Sequence, residues 1–307
     1  MIPFDAILAA LTPVFVLILA GHVMKRTGFP GEGFWGPAEK LTYYMLFPAL
    51  LVNNLVAAPL ASTRFGPFAL VLAGSVLVVT FGLLLLRRWL TTDDPGFSSL
   101  MQGGIRFNTY VGLAASQALF GMHGLTLAAI VIAVLVPLIN VLCVATLSHY
   151  GSAGRLGWGS LLRGLAGNPL ILACLAGILL NVTGIGLPWG SSNVLEIIGR
   201  AALPLGLLAV GAGLDAGAIR GHRAAIGVVT AIKLIALPLV VAGAARLLAL
   251  PPVETAIAVL FAALPTAPSA YILARQMGGD SQLMAGLLTL QTVAAVLTLP
   301  LMLALLG

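Results

Sequence analysis

Pro13-Val-Phe-Val-Leu-Ile-Leu-Ala-Gly-His-Val-Met-Lys-Arg-Thr-Gly28 and Pro169-Leu-Ile-Leu-Ala-Cys-Leu-Ala-Gly-Ile-Leu-Leu-Asn-Val-Thr-Gly184 are two versions of one segment, 156 positions apart. Identities fall at Pro13/Pro169, Leu19/Leu175, Ala20/Ala176, Gly21/Gly177, Thr27/Thr183 and Gly28/Gly184. Leucine and alanine match by chance in any two apolar helices. A proline and a Thr-Gly pair at one shared offset do so far less often, and the same offset carries Pro48 onto Pro204. A repeat of this length in an apolar chain points to a duplicated bundle of spans.

The surrounding composition sets the solvent. Of 307 residues, 60% are hydrophobic and 8% charged, and the mean hydropathy is +1.10. A soluble domain carries about 25% charged residues, so this chain lacks the means to cover a water-facing surface. In lipid the backbone must satisfy its own hydrogen bonds, which leaves helices or a closed barrel. Barrel strands alternate over about 10 residues. Here the apolar runs are continuous over about 20, the length of a spanning helix.

Ten spans are expected, at roughly 4–24, 38–58, 65–87, 98–120, 124–148, 160–182, 194–214, 223–247, 252–276 and 282–305. Residues 1–150 hold spans one to five, and residues 155–307 hold spans six to ten. With an odd number of spans per repeat, the second copy is inverted. The fold class is therefore an all-α polytopic membrane protein built as two inverted five-helix repeats.

Lys25, Arg26, Lys40, Arg87, Arg88, Arg155, Arg163, Arg220, Arg223 and Arg275 share one side of these spans, against Arg64 and Arg246 on the other. Basic loops stay inside, which puts both termini outside. The net charge of +6 is thus a topology signal, and without a basic stripe interleaved with aromatics no nucleic-acid partner is expected. Cys143 and Cys174 lie in apolar runs with no ligand spacing, and His22, His123, His149 and His222 do not cluster. No metal and no cofactor are expected. The chain also lacks a paired intramembrane acid and base or a nucleophile–histidine arrangement, so it does not read as an enzyme.

Transporters with inverted repeats bind substrate near the midplane, where paired spans are interrupted. The fourth and ninth spans fit. The fourth contains Gly103-Gly104-Ile-Arg106-Phe-Asn108-Thr109-Tyr110-Val-Gly112, and the ninth contains Leu264-Pro265-Thr266-Ala267-Pro268-Ser269. Two prolines three apart exclude an unbroken helix, and the glycines with Asn108 loosen the other span. Breaks at mid-depth would cross, and half-helix N-termini would offer free N–H groups to an anion. Asn108, Thr109, Pro265, Thr266 and Ser269 are the candidate substrate-binding residues there. Pro48, Pro204, Gly112 and Pro268 are the candidate helix breakers.

Lys233 lies roughly ten residues into the eighth span. A lysine at the helix centre costs about 2.5–3.5 kcal/mol on insertion scales, so it should face the interior. It either serves as a structural cation at the carbonyls of a broken helix or acts in transport, by attracting the substrate anion or replacing a coupling cation. Asn53 and Asn54, after the kink at Pro48, line the cavity or bond between helices. Gln117 and Gln291 carry the same two readings. Arg106 is open between a substrate carboxylate and the interface. Few carboxylates lie within spans, which favours a small anion over a cation as cargo.

Phe47-Pro48-Ala49-Leu50, Arg106-Phe107-Asn108, Asn168-Pro169, Leu203-Pro204-Leu205, Gly211-Ala212-Gly213, Leu264-Pro265-Thr266 and Gly279-Asp280 occur in an order that resembles the auxin efflux carrier family. That family holds plant auxin exporters and bacterial malonate-type permeases. The resemblance implies a scaffold domain (spans 1, 2, 6 and 7) and a transport domain (spans 3–5 and 8–10). It implies elevator-like movement and an anion site where spans four and nine cross. Asn108 would be the crossover asparagine and Pro265 a crossover proline. The chain departs from the plant members in its short central connection and in Thr266 beside Pro265, so a small carboxylate rather than auxin is the expected substrate. A proton or sodium ion as coupling ion, and a homodimer through the scaffold spans, are compatible with this plan, in a bacterial inner membrane. The sodium–bile acid symporters share the architecture and are the alternative reading.

Overall fold

In the computed structural model the described residues are 3–31, 33–58, 65–90, 93–152, 159, 166–188, 190–219 and 222–307. Arg64, Arg155, Arg163 and Arg220, four of the topology charges, lie outside them, as do residues 160–165 of the sixth span. Among the described residues all regular structure is helical.

The chain opens with α1 (Phe4–Arg26), whose charged residues sit at its ends, Lys25 and Arg26 in the last turn where the helix dipole favours cations. Next come α2 (Trp35–Leu41), a π-helical turn (Thr42–Leu46) and α3 (Phe47–Val56). Pro48 therefore does not break its span, contrary to the expectation. The wider π turn just before it takes up the missing N–H and the ring's clash with the preceding carbonyls. The same device recurs where α10 (Arg223–Ala231) passes through a π turn (Ile232–Ala236) into α11 (Leu237–Leu247), just before Pro238.

Between these lie α4 (Phe65–Leu90), α5 (Asp94–Ile105), α6 (Thr109–Tyr150), α7 (Pro169–Val182), α8 (Ser191–Arg200) and α9 (Ala202–Ala212). Pro204 stands in the first turn of α9, just after the interruption at Ala201 that separates it from α8. The chain closes with α12 (Pro252–Ala263), α13 (Pro268–Met277) and α14 (Ser281–Leu306).

Six helical runs among the described residues are long and apolar enough to cross a membrane, and seven if α12 and α13, bent by 48°, count as one. One run, Asp94–Tyr150, has 57 residues. Unbroken, it would measure about 85 Å, against a hydrocarbon core of about 30 Å. It is divided at Arg106–Asn108 and again inside α6 at Gly121, whose φ of 58° and ψ of −142° suit glycine alone.

The 156-residue offset is visible in local geometry. Thr27 Oγ1 donates to the carbonyls of Val23 and Met24 at 3.1 and 3.0 Å, and Thr183 Oγ1 donates to those of Leu179 and Leu180 at 2.7 and 3.4 Å. Gly28 and Gly184 follow with φ of 77° and 69°, ending α1 and α7 alike. Gly21 packs against the backbone of Leu208 in α9, and Gly177 against Val52 and Leu55 in α3. Val52 and Leu208 are themselves 156 apart. A Cβ on Gly21 would run into backbone, so α1 and α9 are held at a spacing only glycine permits.

α1 thus lies along α9, and α7 along α3. The helices α4, α5, α11, α12 and α14 form a connected cluster, and of these α4, α5 and α12 pack on α6, which also touches α1 and α7. The innermost elements are α5, buried throughout Gly96–Ile105, and α12, buried throughout Ala256–Ala263. The buried stretch of α12 is apolar on every side, as suits such a centre, whereas α5 carries Ser98, Ser99 and Gln102 into it. Both end in mid-protein.

Candidate functional site

Two chain breaks meet at that centre. α5 stops at Ile105 and α6 starts at Thr109, with Arg106, Phe107 and Asn108 non-helical between them. α12 stops at Ala263 and α13 starts at Pro268, with Leu264 to Ala267 between them. Gly112, expected as a breaker, lies inside regular helix, its N–H bonded to Asn108 O at 3.0 Å. A Cβ there would come within 2.8 Å of Leu264 Cδ1 and 2.9 Å of the Phe261 ring, so the glycine serves to let the two breaks approach.

The breaks are stitched together by hydrogen bonds. Asn108 N donates to Pro265 O at 2.8 Å. Gln291, from α14, spans both: its Oε1 accepts from Thr266 N at 2.9 Å, and its Nε2 donates to Gly103 O at 2.9 Å. Gln291 is fully buried. The sequence offered it only as a cavity residue or an interhelical link, and it proves to be the link. Gln117 is exposed.

The two half-helix N-termini differ. The Asn108 side chain folds back, and its Oδ1 accepts from Tyr110 N and Val111 N at 3.1 and 3.3 Å. This is an N-cap, so the start of α6 is not the open anion cradle expected. The N-cap residue of α13, Ala267, supplies no side-chain cap, and Pro268 follows in the first turn. Around these ends several buried polar atoms have no partner. Asn108 Nδ2, Thr266 Oγ1 and Arg106 Nε are among them, in residues 1%, 0% and 9% exposed. Thr109 is half-buried and Ser269 is exposed.

Arg106 reaches from the first break to the second. Its Nη1 donates to Ser269 Oγ at 3.3 Å, and its Nη2 donates to Asn140 Oδ1, in α6, at 2.9 Å. Both partners are neutral. The backbone is extended at Arg106 (φ −70°, ψ 153°) and at Asn108 (φ −82°, ψ 101°), so neighbouring side chains leave on opposite sides. Phe107 goes the other way, edge-on to Phe261 at 5.3 Å between centroids.

Beyond Phe107 and Phe261 lies a small apolar gap, lined also by Leu72, Ile105, Leu135 and Lys233. Lys233 is fully buried and donates from Nζ to Ala262 O at 2.7 Å. Ala262 is in the last turn of α12, where the break leaves carbonyls without intrahelical partners. The ammonium thus occupies the negative end of a half-helix. Of the two readings the sequence offered, this contact matches the cation at a broken helix.

Asn53 is engaged elsewhere, its Oδ1 accepting from Ser192 Oγ of α8 at 2.9 Å. Asn54 is buried with Nδ2 unpartnered. Near the first break the Phe47 and Tyr110 rings stack at 4.6 Å and 9°, with Gly206 of α9 against both. Asn140 escaped the sequence reading. A lone amide shortly after Pro137 in an apolar run was its only signal.

Residues 155–303 match the family described as Membrane transport protein. The chain is related to these transporters. This bears out the family resemblance drawn from the sequence. The chain is also 26% identical, over 94% of each chain, to a protein of Methanothermobacter thermautotrophicus described as "Uncharacterized transporter". A protein of Rhizobium meliloti described as "Putative malonate transporter" is 25% identical over 93% of this chain and 91% of its own. With its apolar helices and these likenesses, the protein is an integral membrane protein similar to transporters.

Proposed function

We propose that the protein is a secondary transporter of small carboxylates, binding its substrate where the two chain breaks meet. One observation carries the reading. Two interrupted helices meet at the most buried part of the molecule, with an uncapped helix start and unpartnered buried donors beside them. Buried polar groups without partners are rare, and at a crossing of broken helices they are what a polar substrate would satisfy. Asn108 Nδ2, Thr109, Thr266, Ser269 and the start of α13 after Pro265 and Pro268 make up the site. The relative described as a malonate transporter supports a carboxylate as cargo.

The architecture goes with it. Ten spans in two inverted repeats explain why α1 lies on α9 as α7 lies on α3, with Gly21 and Gly177 at equivalent contacts. α1, α2, α3, α7, α8 and α9 form a scaffold, against which the other helices carry the site across the membrane in an elevator-like step. The Phe47–Tyr110 stack is then a contact between the moving and the fixed group. Both termini lie outside.

The test is counterflow of labelled malonate and succinate in vesicles holding the purified protein. Wild type should show saturable, counterflow-accelerated flux, and Asn108→Ala should lower it by at least tenfold. Flux equal to that of empty vesicles for every carboxylate tried would overturn the reading.

A further inference from the structure

We propose that Arg106 is the charge that selects the substrate, gripping its carboxylate with the guanidinium fork, and that Lys233 lies outside the binding site. The inference rests on the carboxylate-transporter reading above and adds to it which cation reads the anion.

The geometry separates the two cations. Arg106 and Asn108 leave the extended break on one side, and Phe107 leaves on the other, against Phe261. Lys233 belongs to the Phe107 side, in the apolar gap, where it holds Ala262 O. Arg106 belongs to the side of the uncapped start of α13, where it touches Ser269.

Arg106 is also provisionally partnered. At 9% exposure an arginine normally requires a counter-charge. Among the described residues it meets a serine hydroxyl, an amide oxygen and the Cys143 thiol, none of them a counter-charge, and Nε has no hydrogen-bond partner. Asn140 and Ser269 are neutral acceptors that a carboxylate can displace. Two parallel N–H···O bonds to a carboxylate match the fork, and charge-assisted bonds are about twice as strong as neutral ones. Ser269 is exposed while Asn108 and Thr266 are not, so the guanidinium sits where the site meets accessible surface. There an entering anion encounters the charge first and the buried amide next.

Lysine is not an equivalent residue here. It offers a point charge without the planar fork. An anion held by Arg106 beside the start of α13, with Asn108 Nδ2 at its other end, is a small carboxylate with a second polar end. A dicarboxylate such as malonate has that form.

The experiment is thermal unfolding of the purified full chain titrated with acetate, malonate, succinate and the uncharged malonamide. Wild type should be stabilised by malonate or succinate and not by malonamide. Arg106→Gln should lose that stabilisation and its discrimination between malonate and malonamide, with affinity lower by about 100-fold, the loss of a buried charged pair. Arg106→Lys, which keeps the charge should the glutamine variant not fold, should bind about 10-fold more weakly than wild type. Wild-type affinity for the dicarboxylate in either variant would overturn the assignment of Arg106 and leave the transporter reading standing. A wild-type protein that responds to no carboxylate would overturn both.

Discussion

The two chain breaks solve one problem in opposite ways. The first, Arg106 to Asn108, carries its own remedy, because Asn108 caps the helix that follows it. The second, Leu264 to Ala267, has no internal remedy. Its two prolines destroy the helix and supply nothing in exchange, so its groups are met from elsewhere. Gln291 takes Thr266 N, Asn108 N takes Pro265 O, and Lys233 takes Ala262 O. A break that caps itself is a local property of the chain. A break held by three other elements exists only once the protein is assembled.

That contrast is open to direct attack. Gln291→Leu should have the largest effect on stability. It leaves Thr266 N and Gly103 O buried and unpaired, at about 1–3 kcal/mol each, so about 3 kcal/mol in all is expected by denaturation in mixed micelles. A loss below about 1 kcal/mol would mean that the second break does not depend on its neighbours. Asn108→Ala removes one cap and should cost about 1 kcal/mol. Asn108→Asp keeps the capping oxygen and should restore that stability. Its added negative charge should still abolish carboxylate flux, which separates the capping role from the binding role. Thr266→Val should change stability least, by under about 0.5 kcal/mol, because the buried hydroxyl it removes bonds to nothing. A clear destabilisation would reveal a partner for that hydroxyl.

The same contrast explains what the sequence disclosed. Helices, their approximate ends and the two weak points follow from apolar run length and from proline and glycine, which act within a few residues. Asn108 was legible as part of a break, while its capping of the helix that follows was not foreseen. Gly112 was misread as a breaker because its meaning lies in the Phe261 ring and Leu264 across the break. Pro48 was misread for the opposite reason, since a π turn absorbs it within a single span. Lys233 showed its cost in sequence and not its partner, a carbonyl 29 positions away. Asn140 and Gln291 gave almost no signal, because a single amide in an apolar run does not say what it faces.

Gln291 has one more consequence. Its side chain accepts from one break and donates to the other, as a backbone peptide unit does within a helix. The amide is in effect a spliced-in peptide, conducting hydrogen-bond polarisation from the end of α5 to the break between α12 and α13. Two segments wired in this way have no independent coordinate between them. Any displacement of one break relative to the other registers at once as a broken circuit, so the two breaks hold together as a single part.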